Sequence, residues 1–420
     1  MVTMKLIRRL GAVLAASALL LGAGCRKDSS SVSGGTEKPA LPEFTIPENV
    51  LGTPSPLVPA EVSVDHYAVP ERENVQFIKN LKLGWNLGNA FDAYDVPGLS
   101  DEMKYEGAWC GAVTKPENIA AIKAAGFRTV RIPVSWHNHV DADNRISAQW
   151  MARVKEVADW CRACDLYVII NTHHDVGSEG YYPDTANLGR SRQFLGAVWQ
   201  QIAETFRDYD EHLILESLNE PRLVDSKFEW WLDKNSAECQ DAVRCINELN
   251  QLFVDTVRGA GGNNETRYLL CPGYAASAEG ALNPGFQLPD DPANRVIVSV
   301  HAYTPYDFAL NAAGTKDFSL NSGADVNQIT SFMDELYATF VMNGIPVLIG
   351  EFGARNKENL EARVQFSAFY VAAARARGIS CCWWDNNAFL GTGENFGLLA
   401  RGDSIFMYPE IVQALVKYCE

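Results

Sequence analysis

The sequence predicts a (β/α)8 barrel, the TIM-barrel class, forming one catalytic domain over residues 71–420. Three observations predict it. Eight short apolar runs alternate with longer segments of helical period between Glu71 and Glu420. Several of those segments end in glycine, the usual stop before a strand. The runs are almost continuously apolar, as in a parallel sheet whose outer face is covered by helices, and eight such units in about 350 residues fit a closed barrel. A doubly wound open sheet is the competing arrangement. It calls for a GxGxxG turn after the first strand, and GWNLGNA has two glycines in a different order.

The chain opens on an address label. Lys5, Arg8 and Arg9 precede an apolar run from Leu10 to Ala23, too short for a permanent membrane span, which ends at LLGAGC. Residues 1–25 resemble a bacterial lipoprotein signal, with Cys25 as the lipidated first residue of an exported protein anchored at the cell surface. From 26 to 70 the composition shifts: seven of the nineteen prolines follow a Ser/Gly stretch. Proline this dense cannot sit inside helices or sheets, so the segment is expected to be an extended linker.

The strand candidates follow in order: KLGWNL (82–87), RTVRIPV (128–134), LYVIINTH (166–173), LILESLN (213–219), RYLLCP (267–272), VIVSVHAY (296–303), PVLIGEF (346–352) and ISCCWWD (379–385). PENIAAIKAAG, VKEVADWCRA, FLGAVWQQIAETF, INELNQLFVDTVRGAG and LEARVQFSAFYVAAARARG supply helices between them. Past the linker nine cysteines remain. Cys161 and Cys164 form a CxxC on a helical pattern with no second pair at metal-site spacing, and Cys381 and Cys382 lie in an apolar strand where thiols act as small hydrophobes. No metal and no cofactor is expected.

Charge narrows the partners. Lys and Arg number 36 against 52 Asp and Glu, a net −16, and nucleic-acid binders carry basic patches instead. An acidic chain with ten tryptophans and fifteen tyrosines suits a neutral substrate with faces that stack on rings. A monomer is expected.

Polar residues gather at the C-terminal ends of the strands: Asn86 and Asn89, Arg131, His173 and His174, Asn219 and Glu220, His301 and Tyr303, Glu351, then Trp384 with Asp385. In a barrel those ends meet at one mouth, where such folds build active sites. Glu220, within NEP, and Glu351, within GEFG, each follow an apolar run and lie 131 residues apart. Two glutamates across a cleft, one protonated and one charged, are the parts of glycoside hydrolysis. GxSxG, HExxH and a phosphate loop are absent, which leaves esterase, metalloprotease and kinase readings without footing.

Taken together, GWNLGN, VRIPVSW, NTHHD, NEP, HAYTPYDF, GEFG and WWDN resemble glycoside hydrolase family 5, most of all its branch of bacterial endo-β-1,4-glucanases (cellulases) and xyloglucanases. The resemblance spans about Phe77 to Pro409. It implies double displacement with retention, Glu220 as acid/base and Glu351 as nucleophile. Arg131, His173, Asn219, His301, Tyr303 and Trp384 match the family's other active-site positions, while His174 and Asn89 are further candidates for holding substrate. Arg131 and Tyr303 would keep Glu351 ionised, and the charge on Glu351 would raise the pKa of Glu220. Trp384 would stack on the sugar, or Trp383 if the alternation is shifted by one; Trp109, Trp136 and Tyr306 are candidates either for more distant subsites or for core packing. The sequence departs from the branch after Trp109, where Cys110, Gly111 and Ala112 replace Gly-Asn-Pro, and after WWDN, where Asn387 and Ala388 replace the usual glycine. The expected substrate is a β-1,4-glucan, xyloglucan or mixed-linkage glucan. A β-mannanase is the alternative within the class, and a non-catalytic glycan-binding surface lipoprotein the alternative outside it.

Overall fold

All eight expected strands form, and they close on themselves. In a computed structural model that describes residues 41–420, β1 (Leu83–Leu87), β2 (Thr129–Ile132), β3 (Tyr167–Asn171), β4 (Leu213–Glu216), β5 (Leu269–Pro272), β6 (Val296–His301), β7 (Val347–Phe352) and β8 (Ser380–Asp385) pair in sequence order, and β8 returns to β1. Every pairing is parallel. Helix α1 (Glu73–Leu81) precedes the barrel; α2 (Pro116–Ala125), α3 (Ala148–Ala163), α4 (Leu188–Thr205) and α5 (Ala237–Gly259) follow β1 to β4 in turn. After β5 comes the short α6 (Ala278–Ala281), after β6 come α7 (Tyr306–Ala309) and α8 (Gly323–Thr339), and after β7 comes α9 (Leu360–Ala376). A ribbon of β9 (Leu399–Ala400) and β10 (Ile405–Phe406) separates β8 from α10 (Pro409–Tyr418). Local chemistry sets several boundaries. Pro116 opens α2, Gly126 closes it at φ 104°, and the Ser147 hydroxyl caps α3 by accepting from the Trp150 N–H.

Alternation along the strands gives the barrel two interior levels. Lower down, Ile169, Ile214, Leu270, Ile297, Leu348 and Cys382 pack with Phe77, Ile78 and Leu81 of α1, which closes the N-terminal end. Two residues further along β2, β3, β4 and β6 the same inward stripe turns polar, at Arg131, Asn171, Glu216 and Ser299, with Asn86 of β1 beside them; all are fully buried. The outward strand faces join the helices in the main core. Close approach demands glycine at Gly84, where a Cβ would meet Cys382 Sγ at 2.2 Å, and at Gly88, where it would meet the Trp384 ring at 2.7 Å.

Several strands stop two or three residues before the expected ends. Thus β3 ends at Asn171 and β4 at Glu216, and His173, Asn219 and Glu220 lie just beyond. Side chains take over the pairing there: Asn171 Oδ1 accepts from the Val134 N–H at 3.1 Å, and the Thr172 hydroxyl donates to the Ser217 carbonyl at 2.8 Å.

The linker expectation needs correction over its second half. From 41 to 70 the chain has no helix or strand, as the prolines require, yet it is laid on the barrel as a strap. The Gln413 amide holds Leu51 and Thr53 carbonyls and the Ser55 N–H, Lys417 donates to the Pro59 and Ala60 carbonyls, and Tyr67 stacks edge-on against Tyr337 and donates to Asp334 at 2.6 Å. The compact unit therefore starts near Leu41 rather than 71. The signal expectation for 1–25, lipidation of Cys25 and the linker's first residues lie outside the described residues. Among the described residues all nine cysteines are free, Cys161 and Cys164 included, and no helix is long and apolar enough to cross a membrane.

Candidate active site

Arg131 organises the mouth of the barrel. Its guanidinium is wholly buried and makes four hydrogen bonds: Nε donates to Glu216 at 2.7 Å, Nη1 to Asn86 at 2.9 Å and Glu351 at 2.8 Å, and Nη2 to Asn219 at 2.7 Å, while His301 Nε2 lies 3.5 Å from Nη2. β2 supplies the arginine, β1 the asparagine, β4 and its loop Glu216 and Asn219, β6 the histidine and β7 Glu351. Five residues, from four other strands and the loop after β4, gather round one cation because parallel strands in register bring their C-terminal ends to one level.

Glu351 also accepts from the Tyr303 hydroxyl at 2.9 Å. Glu220 stands opposite, a hydrogen bond of 2.9 Å joining its Oε1 to His301 Nδ1. One oxygen of each glutamate and a nitrogen of His301 lie within 4.8 Å of one another. Arg222 braces the acid from the far side, donating to the Glu220 carbonyl at 3.0 Å while its guanidinium lies 4.0 Å over the Trp230 ring.

The charge states reverse one expectation. Burial pushes the Glu351 carboxyl above its usual range, against the opposing charges of His301 and Arg131, and the charge on Glu220 adds to the rise. Burial also pushes Glu220 up, but the hydrogen bond and positive charge of His301 more than offset it, and Glu220 ends below the usual range instead of above it. Burial would lower His301, and the charges of Glu351 and Glu220 raise it overall. Glu220 is also the more exposed of the two carboxyls, at 17% against 6%. The two shifts run in opposite directions, so the proton that Glu220 and His301 share is drawn toward His301.

The remaining sequence candidates divide. His173 is buried, bonded through Nδ1 to the Asn171 amide at 3.1 Å and 4.0 Å from Glu351, and burial holds its pKa well below the ordinary value, so its ring is neutral. Trp384 faces inward, its ring parallel to His173 at 5.7 Å, while Trp383 points into the outer core and donates to the Phe396 carbonyl; the alternation is not shifted. His174 lies beside Tyr94 and Trp109, 3.9 Å from Asp92, and burial takes it down to about 4. Asn89 sits in the turn after β1 at φ 59°, its N–H bonded to Asp92; its contacts do not reach the glutamates. Trp136 is a core residue, fully buried and bonded to Asn171 and Asp175, which decides for the core-packing alternative. Trp109 and Tyr306 are exposed, as sugar-stacking rings must be. Asp385 is structural: it accepts from Trp85 Nε1 and from the Leu398 and Leu399 N–H groups, pinning the loop after β8.

The sequence reading missed Glu216, Arg222, and Trp230 with Trp231. Trp231, 67% exposed, meets Tyr306 edge-on at 6.4 Å. The EWW run was visible, but nothing in a loop sequence says where its rings end up. Two groupings could hold a cation by spacing, Glu220–His301–Glu351 and Asp92–His173–His174. Arg131 already supplies the positive charge at Glu351, and His173 has spent Nδ1 on Asn171, so the donors suit proton transfer rather than metal binding.

Comparison with known proteins gives a consistent set. The family described as Cellulase (glycosyl hydrolase family 5) matches residues 91–390. Endoglucanase A of Clostridium longisporum is 40% identical over 354 residues, 83% of this chain and 66% of that protein, so the chain spans just under two thirds of its length. Endoglucanase 1 of Ruminococcus albus is 42% identical over 80% of this chain and 79% of its own. A lichenase from Caldicellulosiruptor sp. F32, solved as a mutant with cellotetraose, shares 52% identity over 86% of this chain and 99% of its own, with a TM-score of 0.85.

Proposed function

Starting from a chain that belongs to glycosyl hydrolase family 5, and is therefore a glycoside hydrolase, we propose that it cleaves β-1,4-linked glucan chains internally by double displacement. The observation that carries this reading is the approach of the Glu220 and Glu351 carboxylates, one oxygen of each within 4.8 Å of the other. Retaining sites hold their carboxyl groups ~5–5.5 Å apart, whereas inverting sites leave ~6.5–9.5 Å for a water.

Glu351 attacks the anomeric carbon with the oxygen pair that Arg131 and Tyr303 orient. The leaving oxygen takes a proton from Glu220, which Glu220 draws from His301 Nδ1 across their 2.9 Å hydrogen bond. In the second step Glu220 accepts a proton from water, and that water displaces Glu351 from the glycosyl ester. Asn219, its Oδ1 taken by Arg131, keeps its amide N–H groups for the sugar 2-hydroxyl. Trp384 offers its face to the sugar at the cleavage point, and the exposed Trp109, Trp231 and Tyr306 rings offer further stacking surfaces.

Glucan as substrate is supported by relatives named endoglucanase and by a similar lichenase that binds cellotetraose. Reducing-sugar release from carboxymethylcellulose, xyloglucan, lichenan and mannan tests it: hydrolysis of the first three is expected, and mannan alone would overturn the assignment. The protein is further proposed to act as an exported monomer tethered to a membrane through lipidated Cys25, a reading supported by the Lys5–Cys25 pattern.

A further inference from the structure

A third glutamate lies beneath the two at the mouth. Glu216 is fully buried, at the polar level of the barrel interior directly above an apolar one. An uncompensated carboxylate there would be costly. It is instead fully bonded: Oε2 accepts from Arg131 Nε at 2.7 Å and from the Asn171 amide at 3.1 Å, and Oε1 accepts from the Ser299 hydroxyl at 2.6 Å. Arg131 thus carries a carboxylate on either side, Glu216 at Nε and Glu351 at Nη1. One guanidinium charge is divided between two anions.

We propose that Glu216 is a positioning residue for the reaction, sharing the Arg131 guanidinium with Glu351 and so setting how much positive charge the attacking carboxylate feels. The proposal rests on the reading of Glu351 as the nucleophile. Without the charge on Glu216, Arg131 would belong to Glu351 alone, whose carboxylate would become a weaker base and a weaker nucleophile. With it, the guanidinium orients Glu351 without quenching it. Both neighbours act on the arginine: burial alone would lower its pKa, and the charges of Glu216 and then Glu351 raise it.

The other titratable groups facing this cluster are accounted for. His301, Glu220 and Tyr303 face it from the mouth, and His173 from the loop after β3. Cys382 of β8 faces it from the apolar level below, and burial pushes its thiol up to about 12, so it stays neutral.

Two substitutions make opposite predictions. Glu216→Gln keeps shape and all three contacts, since its oxygen can accept from Arg131 and Asn171 while its amide donates to Ser299, but it deletes the charge. The acid limb of kcat/KM against pH, measured with an activated aryl cellobioside, is expected to move down by about half a pH unit or more. kcat/KM at the optimum should fall on the order of ten-fold, with the melting temperature little changed. Ser299→Ala removes a hydrogen bond from Glu216, which then draws Arg131 more strongly, so the limb should move up. An unmoved limb in both variants would reduce Glu216 to packing and overturn the proposal. Should Glu216→Gln fail to fold, the Ser299→Ala limb decides alone, an upward shift supporting the proposal and any other result sinking it. Labelling of the wild-type protein with a 2-fluoro glycoside runs in parallel. An ester on a residue other than Glu351 would overturn the nucleophile assignment itself, and an ester on Glu351 with unmoved limbs would overturn only the role of Glu216.

Discussion

His301 is the residue on which the chemistry turns. It bonds Glu220, lies 3.7 Å from Glu351, and approaches Arg131 at 3.5 Å, so the proton it shares with Glu220 is the one the acid must deliver. Glu220→Ala should abolish polysaccharide hydrolysis yet spare glycosylation by an aryl glycoside whose leaving group needs no proton, and azide should restore turnover. Equal losses on both substrates without rescue would remove Glu220 from the acid/base role. A second residue-level expectation concerns stability. His139 is buried, stacked on Trp150 at 3.6 Å, and neither ring nitrogen has a hydrogen-bond partner; burial lowers its pKa from 6.5 to about 3. Between those two values the unfolded chain binds a proton that the folded chain refuses, so stability is full above about 6.5 and is lost as pH falls toward 3, at most about 1.4 kcal/mol per pH unit. His139→Phe should therefore flatten the fall in melting temperature between pH 7 and pH 5. An equally steep fall in the variant would show that other groups set it.

At the scale of elements, the strap from 41 to 70 behaves as part of the barrel's outer layer. Tyr67 adds to the Arg377–Asp334 ion pair between α8 and the end of α9: it donates to Asp334, accepts from Arg377 at 3.1 Å, and lies under the Arg377 guanidinium at 4.4 Å. The Tyr337 hydroxyl returns the contact on the Ala68 carbonyl, and Val50, Leu51, Val58, Val62 and Val69 pack against the core. A chain beginning at residue 71 should melt several degrees below one beginning at 41, because apolar surface on α8–α10 becomes exposed and the carbonyls holding Gln413 and Lys417 are gone. Its kcat at low temperature should be unaffected, as the strap's contacts are with the strap-side helices and none is with the mouth. Equal melting temperatures would return the segment to the status of a free linker.

For the whole molecule, the closed barrel fixes stereochemistry. On the proposed mechanism, attack by Glu351 and then by water inverts one carbon twice, so the first sugar released should be the β-anomer, followed by proton NMR during early hydrolysis. Early α-anomer would mean inversion and would displace Glu351 as nucleophile. Glu351→Gln should lower activity by orders of magnitude with little change in melting temperature, since shape is kept and nucleophilicity lost. Location is a property of the whole chain too: Cys25→Ser should release the protein from the membrane fraction or block its processing, and unchanged fractionation would refute anchoring.

The barrel was legible in the sequence, and so were Glu220 and Glu351 as a pair of carboxyls meeting at its mouth. Strand periodicity, helix stops and polar residues at run ends are local signals, and each apolar run from KLGWNL to ISCCWWD did become a strand because burial on both faces leaves a parallel strand no other composition. Glu220 and Glu351 stood out because each lies in or just past the C-terminal end of such a run, the level at which a barrel gathers its polar side chains. Tertiary structure alone decided three things. It drew the shared proton toward His301, since pKa depends on which charges meet across 81 and 131 residues of chain rather than on neighbours in sequence. It laid residues 41–70 on the helices, because proline forbids helix and sheet but says nothing about whether an extended segment packs. And it turned Trp136 inward, Trp231 outward and Glu216 toward Arg131, orientations set by barrel closure, which no single strand can encode.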